Sequence, residues 1–159
     1  MERTQAKNRH KGRERAFQIL YGWSFSESSE QGHTQRTFEN FAGEQFEDNQ
    51  EANQYAWQLI SGVEKQLQTL DRIIAAYSKN WRLDRIAKVE ITILRLSLYE
   101  MLFGKDVPVK VAINEGIELS KKFGDRKSNK FVNGILDAIG KNWKEHESLS
   151  ALTGETEKS

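Results

Sequence analysis

The stretch Val107–Ile139 reads VPVKVAINEGIELSKKFGDRKSNKFVNGILDAI and predicts two consecutive helices joined by a short basic loop. Pro108 suits the start of a helix, because its missing N–H would be unpaired in the first turn in any case. Gly124 predicts the end of the first helix, and Ser128 or Asn129 can cap the second. The apolar positions recur at helical spacing, and they are Val109, Ala112, Ile113, Gly116, Ile117 and Phe123, then Phe131, Ile135, Leu136 and Ile139.

A basic cluster lies between the two apolar stripes. Residues 121–130 hold five lysines and arginines against the single acid Asp125, a local charge of +4, and Phe131 follows directly. Cations beside an aromatic ring are typical of a surface for a phosphate-bearing partner. A phenylalanine at this spacing can also belong to the core, but its place in the first turn beside lysines favours a stacking role. The predicted contacts, called the loop cluster below, are Lys121, Lys127, Lys130 and Phe131.

A second basic run opens the chain. Residues 1–15 hold six lysines and arginines against two glutamates, again a local charge of +4. The run is either a solubilising tail or an arginine-rich arm that becomes ordered on RNA. Arg9 and Arg13 lie one turn apart if the first helix extends back, which favours the arm. The predicted contacts, called the arm cluster below, are Arg9, His10, Lys11 and Arg13.

Composition predicts an all-helical protein. The 159 residues are 37% hydrophobic and 30% charged, with one proline, no cysteine and few runs of alternating β-branched residues. The absence of cysteine excludes disulfides and thiolate metal sites and is typical of cytoplasmic proteins. No apolar run approaches the ~20 residues of a membrane-spanning helix. We therefore expect a cytoplasmic protein that is neither exported nor embedded.

Catalysis finds little support in the residues. The three histidines lie far apart in sequence without a neighbour at ligand spacing, so neither a metal site nor a cofactor is predicted. No glycine-rich phosphate loop follows a strand, and the glutamates of the amphipathic helices are more typical of ion-pair partners than of catalytic acids. The chain is not predicted to be an enzyme.

The pattern divides the chain into four regions. Residues 1–8 are predicted to be a disordered basic arm, and residues 147–159 a disordered tail. The polar segment Ser78–Asn80 is the predicted boundary between helical subdomains at 9–80 and 81–146. Leu83 and Asp84 are expected to start the central helix of the second subdomain. Within the last helix, the pair Asn133 and Gly134 predicts a close approach of another backbone.

Four segments together resemble the NusB family of bacterial transcription antitermination factors. They are RERAFQILYGW at 13–23, WRLDRIAKVEITILRLSLYEM at 81–101, VPVKVAINEGIELSKKFG at 107–124 and KFVNGILD at 130–137. The resemblance spans roughly Arg9 to Trp143. It implies an all-α fold of two packed helical bundles of about three helices each.

The resemblance also implies a function. Members of the family bind the boxA element of ribosomal RNA leader transcripts together with NusE, a small-subunit ribosomal protein, and help RNA polymerase read through terminators. RNA contact is then expected at the arm cluster and at Phe131, and the NusE surface mostly on the second bundle. His10 and Gly12 depart from the family pattern, where arginine or another helix former is more usual, and this predicts a diluted arm.

Two other functions stay open at this point. One is a stand-alone NusB-like targeting domain, related to the N-terminal domain of ribosomal RNA cytosine methyltransferases; the sequence carries no Rossmann-type cofactor domain and no catalytic cysteine. The other is a protein–protein adaptor whose basic segments are merely solvated. Salt-dependent RNA binding would separate the adaptor from an RNA-binding factor.

Overall fold

The computed structural model describes residues 2–25, 38–39, 49–78 and 82–143, which contain helices, turns and no strand. The predicted tail at 147–159 lies outside these residues, as do residues 79–81 at the predicted boundary. The helices are α1 (Glu2–Trp23), α2 (Gln50–Lys65), α3 (Leu67–Tyr77), α4 (Lys88–Phe103), α5 (Val109–Phe123) and α6 (Arg126–Lys141), with a 3-10 turn at Leu83–Arg85. The chain forms two compact units, Met1–Glu64 and Lys65–Ser159.

The N-terminal unit is built on α1 and α2. Their buried residues follow helical spacing and are Ala16, Phe17, Ile19 and Leu20 on α1, with Ala52, Ala56, Leu59, Ile60 and Val63 on α2. Phe38 adds an aromatic contact, with its ring centroid 5.4 Å from that of Trp57. The apolar stripe of each helix therefore supplies the core of this unit.

The C-terminal unit surrounds α4, which is buried almost all round. Every residue of α4 from Ile91 to Phe103 is buried except Arg95. Helices α3, α5 and α6 each pack against α4. This confirms the prediction of a central helix, whose apolar residues wrap its circumference because it has neighbours on several sides.

The unit boundary differs from the predicted one at Ser78–Asn80. The chain divides between Glu64 and Lys65, so α3 belongs with the C-terminal helices. Two hydrogen bonds help to hold it there, because Arg95 Nε and Nη2 donate to the two carboxylate oxygens of Asp71 at 2.8 and 2.9 Å. Periodicity shows that α3 has an apolar face, but it does not show which helices cover that face. The second unit consequently has four helices rather than three.

Two helix starts also differ from the predictions. Helix α1 begins at Glu2, so residues 2–8 are helical where disorder was predicted. Contacts with α2, described below, hold this first part in place. Leu83 and Asp84 start a 3-10 turn instead of α4, which begins at Lys88.

Helix α5 crosses its neighbours closely at Gly116. A Cβ built there would meet the Ser97 Oγ atom of α4 and lie 2.9 Å from the Leu136 Cδ1 atom of α6. Gly134 is the opposite case, since a Cβ there would meet nothing within 4 Å. The predicted close approach at Asn133 and Gly134 is therefore wrong, and Gly116 is where three helices meet.

Candidate RNA interface

The arm cluster lies on the first half of α1, and its four side chains differ in how far they are buried. Lys11 is exposed, Arg9 and His10 are partly exposed, and Arg13 retains only 3% of its exposed surface. The His10 Nε2 atom lies 3.9 Å from Glu14 Oε1, one turn further along the helix. The prediction that Arg13 contacts a partner directly needs correction, because its side chain is buried in this structure. Three members of the cluster remain accessible.

Tyr55 on α2 is the residue against which both arginines of the arm lie. The guanidinium carbon of Arg9 is 5.4 Å from the centre of the Tyr55 ring, and that of Arg13 is 5.6 Å away. Residues four apart share one face of a helix, so both side chains reach the same ring. A cation over an aromatic face is stabilised by the ring quadrupole. In sequence, Tyr55 shows only the helical spacing of the apolar residues of α2.

Polar side chains fix the same part of α1 to the start of α2. Asn8 Nδ2 donates to Glu51 Oε2 at 2.6 Å, and Asn49 Nδ2 donates to Asn8 Oδ1 at 2.7 Å. Asn49 Oδ1 in turn accepts from the backbone N–H of Ala52 at 3.0 Å, as a capping side chain does in the first turn of a helix. Two hydrogen bonds from Arg15 Nη1, to Asn53 Oδ1 at 2.8 Å and to the carbonyl of Asn49 at 3.2 Å, extend this contact.

Gly12 allows the two helices to approach. A Cβ at this position would lie 3.0 Å from the carbonyl oxygen of Ala52 and 3.0 Å from Tyr55 Cδ2. Such distances are shorter than ordinary van der Waals contact, so a larger residue would push α1 away from α2. The sequence suggested that Gly12 dilutes the arm. In the structure it permits the docking that brings the arginines to Tyr55.

The loop cluster lies on the last turn of α5 and the first two turns of α6. Lys121, Lys127 and Lys130 are exposed, and Phe131 is partly exposed. Lys121 pairs with Glu118, with Nζ and Oε1 3.5 Å apart, but both side chains are largely in water, where such a pair contributes little. Exposed cations therefore flank a ring that the core leaves partly uncovered.

Asp125 caps α6 and is the acid within this basic region. Its Oδ1 atom accepts from the backbone N–H of Ser128 at 2.8 Å, so the predicted capping by Ser128 or Asn129 is wrong. That hydrogen bond, with further help from Lys127, lowers the pKa of Asp125. Burial raises the pKa of Glu90 on α4, and the Asp125 charge raises it further. The lowered pKa favours the carboxylate form of Asp125, which caps the N-terminus of α6.

The structure brings together some of the predicted contacts. Arg9 and Arg13 meet over Tyr55 in the N-terminal unit, while Lys127, Lys130 and Phe131 share two helical turns in the C-terminal unit. Each cluster belongs to its own compact unit. Within the described parts of the chain, no three histidine or acidic side chains are grouped as a metal site would require. No helix in those parts is both long and apolar enough to span a bilayer.

Comparison with known proteins gives one consistent family. The model of the NusB family matches residues 10–141. A transcription antitermination protein NusB of Oleidesulfovibrio alaskensis is 50% identical over 137 residues, which cover 84% of this chain and 88% of the relative.

Solved structures agree with this match. NusB of T. maritima has a TM-score of 0.74 and 34% identity, covering 84% of this chain and 90% of that one. A structure of the antitermination factors NusB and NusE in complex with dsRNA has a TM-score of 0.74 and 31% identity, covering 86% of this chain and 98% of that one.

Proposed function

The chain belongs to the NusB family, and on this premise we propose that it binds the boxA element of ribosomal RNA leader transcripts together with NusE. In the proposed role, the complex joins RNA polymerase in the cytoplasm and promotes read-through of terminators in ribosomal RNA operons. Membership of the family confirms the predicted resemblance, and the helices of the described residues, which include no strand, confirm the all-helical class. Membership also confirms that the chain is not an enzyme, because the matched relatives are antitermination proteins.

The charge of the two clusters is the observation that carries the RNA-binding proposal. Exposed or partly exposed cations lie at Arg9, Lys11, Lys127 and Lys130, and few acids lie beside them in sequence. Cations that neutralise RNA phosphates release condensed counterions, which drives binding and makes it salt-dependent. Phe131 supplies a ring on which an unstacked base can lie, as single-stranded RNA requires. The related complex of NusB and NusE contains RNA as well.

An open groove on the C-terminal unit supports NusE binding there. The groove has a volume of about 490 Å³ between α5 and the end of α6. Its apolar lining comes from Val109, Ile113 and Trp143. Apolar surface beside charged residues is typical of a protein–protein contact. The groove is lined by Val109, Lys110, Ile113, Asp137, Gly140, Lys141 and Trp143.

We expect NusE to sharpen the choice of RNA. A gel-shift titration compares a boxA oligonucleotide with a scrambled one of equal length, with and without NusE. The protein alone should separate the two RNAs weakly, and adding NusE should increase the ratio of their affinities because a joint surface covers more nucleotides. Binding free energies are reciprocal, so boxA RNA should strengthen the contact between the two proteins by the same factor.

Three outcomes count against the proposal. Equal affinities for both RNAs in the presence of NusE would remove boxA as the target. An affinity for NusE that saturating boxA RNA leaves unchanged would show that the two ligands bind independently. RNA binding that is absent at low salt would favour a protein–protein adaptor instead.

A further inference from the structure

Tyr55 is the point at which the basic half of α1 is attached to α2. The guanidinium groups of Arg9 and Arg13 lie 5.4 and 5.6 Å from the ring centre, and the ring edge closes on the backbone at Gly12. The hydrogen bonds between Asn8 and Glu51 and between Asn49 and Asn8 fix the same helical turn. Ring, backbone and polar contacts thus act on one short part of α1, residues 8–13.

We propose that Tyr55 is a positioning residue for RNA binding, which holds the basic half of α1 helical and docked before RNA arrives. The inference rests on the proposed function, since it concerns how the arm cluster is presented to RNA. Tyr55 need not touch RNA, because it acts through the arginines on its ring.

The two arginines have different roles in this arrangement. Arg13 is 3% exposed, so its contact with Tyr55 is shielded from water. A cation over a ring is stabilised most strongly when water is excluded from the contact. Arg9 is partly exposed, and a guanidinium that stacks by its face still directs N–H groups outward from its edge. Arg13 therefore anchors the helix, while Arg9 can lie on the ring and bind a phosphate at once.

Docking in advance raises RNA affinity because it removes an ordering step. A disordered arm loses conformational entropy when it binds, and that loss opposes association. The arm described here is helical and is held on α2 by contacts within the N-terminal unit, at Asn8 and at Gly12. The alternative role of Tyr55 is to fill space between α1 and α2, in which case its removal changes stability but not the arm.

The experiment combines hydrogen exchange with RNA binding of the full chain. In the free protein, amides 6–12 should be protected, since the first four N–H groups of a helix have no helical partner and are not informative. Tyr55→Leu should bring these amides close to unfolded exchange rates. It should also weaken boxA RNA binding about fivefold, as expected for a lost cation–π contact.

Two matched variants separate positioning from packing. Tyr55→Phe keeps an aromatic face, so arm protection and RNA affinity should stay within about twofold of wild type. Trp57→Leu removes another large ring from α2, one that contacts Phe38, and should leave both readouts unchanged. Tyr55→Met serves in place of the leucine variant if that protein no longer unfolds cooperatively on heating, because a loss of helix confined to residues 6–12 is the expected result. A Trp57→Leu protein that loses arm protection equally would overturn the proposal.

A double-mutant cycle shows whether Tyr55 acts through Arg9. In an Arg9→Ala background, Tyr55→Leu should cost clearly less RNA affinity than it does in wild type. Fully additive effects would overturn the proposal, as would unprotected amides 6–12 in the free wild-type protein. If Arg9→Ala itself leaves RNA affinity unchanged, the proposed RNA contact fails. If Arg9→Ala weakens binding while Tyr55→Leu does not, only the positioning role fails.

Discussion

Gly116→Val is expected to destabilise the protein by about 2–3 kcal/mol, because it forces side-chain atoms into a packed helix crossing. The first added carbon would meet Ser97 Oγ and approach Leu136 Cδ1 to 2.9 Å, and the two methyl groups of valine require still more room. Ser97 and Leu136 belong to α4 and α6, so both neighbours must move. Thermal unfolding followed by circular dichroism at 222 nm measures the loss.

Gly134→Ala is the matched control for this variant. Gly134 also lies within a helix, but a Cβ there meets nothing within 4 Å. Alanine is the better helix former by up to about 1 kcal/mol, so this variant should be at least as stable as wild type. Equal destabilisation by the two substitutions would contradict the close crossing at Gly116.

Phe131→Ala is expected to lower boxA affinity about tenfold or more while costing little stability. Stacking of one base on an aromatic side chain contributes ~1–3 kcal/mol, and 1.4 kcal/mol is a factor of ten. The ring is partly exposed, so its truncation should cost only about 1 kcal/mol of stability, well below a fully buried phenylalanine. Titration of folded protein with labelled RNA measures the first effect, and thermal unfolding measures the second.

Ile135→Ala tests whether this loss is specific to the exposed ring. Ile135 lies one turn further along α6 and is 6% exposed. Its truncation should cost about 2–4 kcal/mol of stability, as is usual for a buried isoleucine, and leave the folded protein's RNA affinity unchanged. A large stability loss for Phe131→Ala with unaltered RNA affinity would instead assign Phe131 to the core.

The helices around α4 could be predicted from sequence because their signals are local. Pro108 precedes α5, Gly104 and Gly124 follow the ends of α4 and α5, and the apolar residues of α4 wrap its circumference. Each of these signals depends on a helix's own residues. The loop cluster could be found in the same way, since its charges are adjacent in sequence.

Features that depend on contacts between helices could not be read from sequence. Asp71 pairs with Arg95, 24 residues away, and this contact helps to hold α3 in the C-terminal unit. Tyr55 and Gly12 have the spacing of ordinary helix positions, and only the approach of α1 to α2 gives them their roles. Burial of Arg13 likewise follows from that approach. A local charge count treats Arg13 as equal to Arg9, although the fold buries Arg13 and leaves Arg9 partly exposed.

If exposed cations of the arm cluster neutralise RNA phosphates, RNA binding must depend on salt, and a salt titration measures that dependence. The logarithm of boxA affinity should fall linearly with the logarithm of salt concentration, with a slope of about −0.7 for each phosphate contacted on single-stranded RNA. Arg9→Ala should weaken binding and make the slope shallower by about 0.7, whereas Lys105→Ala, which removes an exposed cation outside both clusters, should leave it unchanged. A slope near zero for the wild-type protein, or an Arg9→Ala variant with wild-type affinity and slope, would show that these cations do not bind RNA phosphates.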